Sequence, residues 1–267
     1  MAQYPWKMSK IQIGAHVGSD DPITDAKALN IPHIQLFCGQ PQTFKAAIFP
    51  HPGGAEGLKA QAEAENIGIY VHARYVINVA TGNNKVRIPS RKLLQTDVDA
   101  AAAIGARGVI VHGGHITEDD DPEAGFANWV KALSSLDMKV PVLIENTAGG
   151  NHAMARHFDS IARLWDFVGG TGVGFCLDTC HAHAGGIAMA DVAEKIIGIT
   201  GGIDLVHCND SRDEFDSGRD RHANIGQGNI ALDDILHCLT VANAPVILET
   251  PTEGVVDDLA LLNSSLN

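Results

Sequence analysis

The stretch RKLLQTDVDAAAAIGARGVIVH, residues 91–112, holds the pattern on which the fold turns. Residues 91–106 place their apolar side chains at the spacing of an amphipathic helix. GVIVH (108–112) is almost continuously apolar and stops at a histidine, as a strand buried on both faces does. A helix feeding a buried strand is the repeat of an α/β protein with a parallel sheet.

The same unit recurs in both directions. Apolar runs lie at 11–15 (IQIGA), 34–37 (IQLF), 67–72 (IGIYVH), 140–145 (VPVLIE), 173–178 (VGFCLD), 204–208 (DLVHC) and 245–249 (PVILE). With 108–112 they predict eight strands. The intervals have room for helices, as in FDSIARLWDFVG (158–169) and DVAEKIIGIT (191–200). Eight such units predict a closed (β/α)₈ TIM barrel, residues 1–267 as one domain with 1–10 as an N-terminal extension. Two loops stand out: acidic ITEDDDPEAG (116–125) and long, polar SRDEFDSGRDRHANIGQG (211–228). A long structureless loop in a compact domain is usually functional.

Hydrophobic residues make up 45% and charged residues 19%, an ordinary soluble composition. MAQYPWKMSK lacks the apolar core of a signal peptide, and no window approaches a membrane span. Cys38, Cys176, Cys180, Cys208 and Cys238 are odd in number and read as reduced packing thiols of a cytoplasmic protein. The net charge of −13 argues against extended phosphate contacts, unless cations offset it or a basic stripe occupies one face.

The chemistry-bearing residues fall at one kind of place. His72, His112, Glu145, Asp178 and Glu249 each close an apolar run, and His207 lies near the end of another. His181 follows Asp178, while Asp220 and His222 lie in the long polar loop. Strand C-termini of a (β/α)₈ barrel meet at one face, so these residues converge. All nine are nitrogen or oxygen ligands of Zn²⁺ or Mn²⁺, and so many carboxylates in one place require cations.

VHARYVINVAT (71–81), VIVHGGH (109–115), VLIENTAGG (142–150), GFCLDTCHAHAGG (174–186), VHCNDSRDEFDSGRDRHANIGQG (206–228) and VILETP (246–251), together and in order, resemble the endonuclease IV family. IGAHVG (13–18) resembles its opening strand. The resemblance implies a zinc-dependent apurinic/apyrimidinic endonuclease of base excision repair, with three Zn²⁺ ions and Mn²⁺ sometimes substituting. By motif position, His72, His112 and Glu145 would hold the first metal. Glu145, Asp178, His207 and Glu249 would hold the second, and His181, Asp220 and His222 the third. Glu145 or Glu249 would steer the nucleophile, with Asn209, Asp210 and Arg221 orienting ligands. The implied substrate is double-stranded DNA with an abasic site or a blocked 3′ end, bound by a monomer.

Tyr75 and Val76 match the pair that the family inserts into DNA. Gln42 stands where the family usually has a basic residue, leaving Lys45, Arg74 and Arg87 as candidate replacements. His16, His115 and His183 read as supporting rather than ligating. The alternative is a sugar isomerase or epimerase of the xylose-isomerase-like barrels, for which Glu145, Asp178, His207 and Glu249 suffice and the third group has no use.

Overall fold

The computed structural model describes residues 10–267 apart from 19, 46, 50, 118 and 151, so the expected N-terminal extension lies almost wholly outside the described residues. Eight parallel strands close into a barrel: β1 (Ile13–His16), β2 (His33–Phe37), β3 (Gly68–His72), β4 (Gly108–His112), β5 (Val142–Glu145), β6 (Gly174–Asp178), β7 (Leu205–His207) and, after a short two-stranded pair, β10 (Val246–Leu248). Closure is made by β1 beside β10, with Ala15 level with Leu248. All eight runs anticipated from the sequence are these strands, with ends displaced by one or two residues in most and β4 matching its run.

Helices wrap the barrel: α1 (Pro22–Leu29), α2 (Gly54–Ala64), α3 (Asn84–Ala103), α4 (Pro122–Ser134), α5 (Phe158–Val168), α6 (Thr179–Ala184), α7 (Val192–Thr200), α8 (Leu232–Ala242) and α9 (Val255–Leu266). Their apolar faces and the outer faces of the strands form the main core. No helix among the described residues is long and apolar enough to cross a membrane.

Inside the barrel the two-residue period of a strand builds layers. Tyr70, Ile110, Leu143, Cys176, Leu205 and Ile247 fill one apolar layer. Two residues further along, at the ends of the same strands or, for Glu249, just past one, come His72, His112, Glu145, Asp178, His207 and Glu249. The apolar plug is therefore the floor of the polar layer at the C-terminal mouth.

Two features depart from the sequence reading. α3 begins at Asn84, well before residue 91, and carries Pro89 inside it. Asn83 caps its first turn by accepting from the Lys85 amide, so the Asn-rich start and the proline belong to the helix. The polar loop contains a short antiparallel pair, β8 (Asp210–Ser211) with β9 (His222–Ala223).

Candidate metal centre

The structure gathers all nine candidate ligands at the mouth, and Glu145 is its hub. Glu145 is fully buried. Its Oε2 lies 3.3 Å from His72 Nε2 and 3.2 Å from His112 Nε2. Its Oε1 lies 2.9 Å from His207 Nδ1 and 3.4 Å from His181 Nδ1. Two donor groups share His72, namely His72, His112 and Glu145 and His72, His207 and Glu249, and a third is formed by His181, Asp220 and His222. Within the third, Asp220 stands 3.2 Å from His181 Nε2 and 3.0 Å from His222 Nε2. Asp178 Oδ2 lies 3.8 Å from His222 Nε2.

Ring orientation is set from behind. His72 Nδ1 donates to the Ala73 carbonyl at 2.7 Å, His181 Nδ1 to the Asn146 carbonyl at 2.9 Å and His222 Nδ1 to the Glu249 carbonyl at 3.1 Å. Each then turns an Nε2 lone pair toward the carboxylates, the arrangement of metal-binding histidines. His207 is reversed: its Nε2 donates to Gln35 Oε1 at 2.7 Å and its Nδ1 faces Glu145. Two buried atoms of the cluster, Glu145 Oε2 and His222 Nε2, have no hydrogen-bond partner. Unpaired buried polar atoms are costly, and a cation between them removes the cost. The donor set and the orphaned atoms together fit divalent metal.

Without cations, His181 and His222 carry compensating charge. Burial disfavours an ionised Glu145, but His207 and His112 outweigh it and hold the carboxyl well below its usual range. For Asp178, burial prevails and the carboxyl moves up. Burial opposes protonation of His181, yet Asp178, Asp220 and Glu145 lift it well above its ordinary value. His222 is pushed up to about 9, burial being overcome by Asp220 and Asp178. Glu249 is lowered to about 2, burial being overcome by His207 and His72.

Several supports were not singled out in the sequence. Gln35, fully buried in β2, joins three strands: it accepts from His207, donates to Glu249 Oε1 at 2.6 Å and lies 3.2 Å from His16 Nδ1. Its signal was a polar residue at an inward position of the apolar run IQLF. Asn146 donates to the Asp178 carbonyl and accepts from the Asp178 amide. Asn209, expected to orient ligands, donates to Asp178 Oδ2 at 2.7 Å and accepts from the Glu249 amide at 2.9 Å. Asp210 instead accepts from the amides of Ser211, Gly226, Gly228 and Ile230, holding the loop rather than a ligand. Arg221 is engaged by Asp213 in two hydrogen bonds.

Of the expected DNA-contact residues, Tyr75 is 51% exposed at the mouth, stacked on the His112 ring at 5.7 Å and edge-on to Phe37 and His72. Val76 is half-buried against the core. Gln42 is exposed in a turn, and Lys45 is exposed. Arg74 is unavailable: it is buried and paired with Asp97 at 2.7 Å. All five cysteines are buried free thiols. Cys176 lies near Glu145 and His207, and Cys180 near Asp178 and His222. His16 is lowered to about 4 by burial. His115 is exposed, and buried His183 bonds the Asp213 carbonyl.

A family model described as a xylose isomerase-like TIM barrel matches residues 23–265. A probable endonuclease 4 of Mycobacterium ulcerans is 55% identical over 255 residues, 96% of this chain and 99% of that one. The crystal structure of endonuclease IV from Thermus thermophilus aligns with a TM-score of 0.82 at 28% identity, over 95% of this chain and 98% of that one. A D-tagatose 3-epimerase-like protein aligns with a TM-score of 0.73 at 20% identity, over 95% of this chain and 99% of that one. That last likeness is one of fold alone.

Proposed function

The chain belongs to the endonuclease IV family, and on that premise we propose that it hydrolyses the phosphodiester 5′ to an abasic site in double-stranded DNA. The products are a 3′-hydroxyl and a 5′-deoxyribose phosphate, and the same hydrolysis trims blocked 3′ ends. We further propose a cytoplasmic monomer carrying three Zn²⁺ ions, with Mn²⁺ able to substitute.

One observation carries this over the sugar-isomerase alternative. His181, Asp220 and His222 bring their donor atoms within 4.8 Å of one another, beside the two groups that share His72. An isomerase needs no such third group. Hydrolysis of a phosphodiester, by contrast, develops charge on the attacking oxygen, on the leaving oxygen and on the non-bridging pair between them. His72, His112 and Glu145 would hold one ion, with Glu145 shared by Asp178, His207 and Glu249 for the second. His181, Asp220 and His222 would hold the third. When bound, such ions acidify water and neutralise phosphate charge.

The protein's own groups then orient and exclude. Glu145 is sealed from solvent, while the Glu249 side chain keeps 13% exposure. Glu249 is therefore the carboxylate better placed to take the proton of an attacking water. Gln35 fixes its Oε1, leaving Oε2 toward His207 and Asn209. Tyr75, stacked on His112 at the mouth, would with Val76 enter the duplex at the lesion from which the sugar lacking a base is flipped.

The test uses a duplex with one synthetic abasic site, before and after chelation. The expected result is a cut immediately 5′ to the lesion, lost with metal stripping and restored by Zn²⁺ or Mn²⁺, with metal analysis returning three ions per chain. A fully loaded protein that leaves the duplex intact would overturn the reading in favour of free sugars.

A further inference from the structure

From Asn66 to Thr96 the chain has no Asp or Glu, although it carries 32 of them elsewhere. Into that window fall Lys85, Arg87, Arg91 and Lys92, all on the first half of α3. Ser90, Leu93, Leu94, Asp97 and Val98 turn inward, so Lys85, Ile88 and Lys92 run along the outer face at spacings of three and four, flanked by Arg87 and Arg91.

These cations lack the carboxylate partners that others in the chain have. Lys27, Arg74, Lys139, Arg156, Arg163 and Lys195 each pair with a carboxylate. Among the described residues none of the four on α3 does so within 4.0 Å. Arg87 donates to the carbonyls of Thr81 and Gly82, and Arg91 to that of Asn128. Burial and neighbouring Arg87 even lower Arg91. The acidic loop beside them is engaged mainly elsewhere, and among its described residues only Asp120 comes within electrostatic reach of one of them, Arg87. Asp120 accepts from the Thr117 amide, Asp121 caps α4 and Glu123 holds Arg163.

The stripe also lies at the working face. In this barrel a helix starts where the preceding strand ends. α3 is tied to the segment that leaves His72 and carries Tyr75, because Ser90 Oγ accepts from the Asn78 amide at 3.0 Å and Asp97 pairs with Arg74. A chain of net charge −13 repels nucleic acid overall, Gln42 brings no charge, and Arg74 is buried. Positive charge for a duplex must then come from another part of the mouth.

We infer that the cationic face of α3, Lys85, Arg87, Arg91 and Lys92, docks the phosphate backbone of the duplex beside the metal centre. Lys85 to Lys92 spans about 10 Å along the helix, matching about three phosphates of one strand. The inference rests on DNA being the substrate, though not on cleavage.

The test is the double charge reversal Lys85→Glu/Lys92→Glu, with Lys131→Glu, in the last turn of α4, as control. Binding to undamaged and to abasic duplex is titrated at several salt concentrations. Affinity for both duplexes should fall at least about tenfold, and the slope of log K against log salt should shrink by about 2, since each lost phosphate contact removes about 0.9. Lys131→Glu should change neither, and melting temperature and metal content of the reversal should match the parent. Unchanged affinity and slope in the reversal would overturn the inference even if abasic DNA is cut. Loss of the slope in a protein that cuts no abasic duplex would uphold it while the proposed function fails.

Discussion

At the scale of single residues, Gln35 shows how much of a metal centre lies outside its ligands. His207 faces Glu145 through Nδ1 only because its Nε2 proton is held by Gln35 Oε1. The same amide then has its nitrogen toward Glu249. Rotation of the amide would bring oxygen against a carboxylate, so the tautomer of His207 and the orientation of Glu249 are fixed by one side chain. Gln35→Leu keeps the volume and removes both bonds. Affinity at the group sharing His207 and Glu249 should drop by about 10- to 100-fold, the usual cost of losing such a partner. Competition of the loaded protein against a graded chelator reads this, with circular dichroism to confirm an intact barrel. Equal retention of all ions in the variant would show that Gln35 is mere packing. The ligands themselves were legible because most are polar groups ending an apolar run. Gln35 was not, because one amide in an apolar strand does not disclose which polar groups cross the barrel to meet it.

At the scale of elements, the barrel strands were the most legible part of the chain, since burial on both faces makes them continuous apolar runs. The start of α3 was not, because Asn83, Asn84 and Pro89 carry the local signature of a turn. What overrides it is an asparagine cap and the packing of Leu93, Leu94 and Val98. The loop 211–228 reads as structureless for a similar reason: its order comes from buried carboxylates at its base. Asp210 collects three loop amides and that of Ile230 just beyond. Asp258, on α9, accepts from the Ile225 amide, from Asn224 and from Thr250. Those bonds clamp the segments next to His222 and Glu249. Gly228 fits against Asp210 only because it lacks a Cβ, which would lie 2.4 Å from Oδ1. Asp210→Ala should therefore free the loop that carries Asp220 and His222 while leaving the ligands on the strands in place. The expected signature is two retained ions instead of three, with new protease sensitivity between residues 211 and 228. Destabilisation should reach about 3 kcal/mol or more, since several charge-assisted bonds to a buried group are lost. Three ions retained at parental affinity would mean that the loop is ordered by other contacts.

At the scale of the molecule, the site stores like charges that the chain must neutralise with either protons or metals. Stripped of metal, it uses protons. His222 rises from an ordinary 6.5 to about 9, so its contribution is fully present below pH 6.5 and disappears as pH climbs through 9. His33, buried beneath the barrel and pushed down to about 4, has the opposite sign. Its contribution is present above pH 6.5 and is lost as pH falls toward 4, because only the unfolded chain takes up the proton there. The two slopes meet near the ordinary histidine value, so the chelated protein should melt highest close to pH 6.5. Metal replaces the protons of the histidines, so loading releases protons and gains strength as pH rises. The difference in melting temperature between zinc-loaded and chelated protein should thus widen steadily from pH 6.5 upward, where His222 loses its proton. Calorimetry of both forms across that range is the measurement. A gap that stays constant or narrows would mean that protons do not balance the carboxylates of the empty cluster, and that the histidines face them neutral. In that case the metal would be relieving carboxylate repulsion directly, and its removal should loosen the mouth of the barrel at every pH rather than chiefly at alkaline ones.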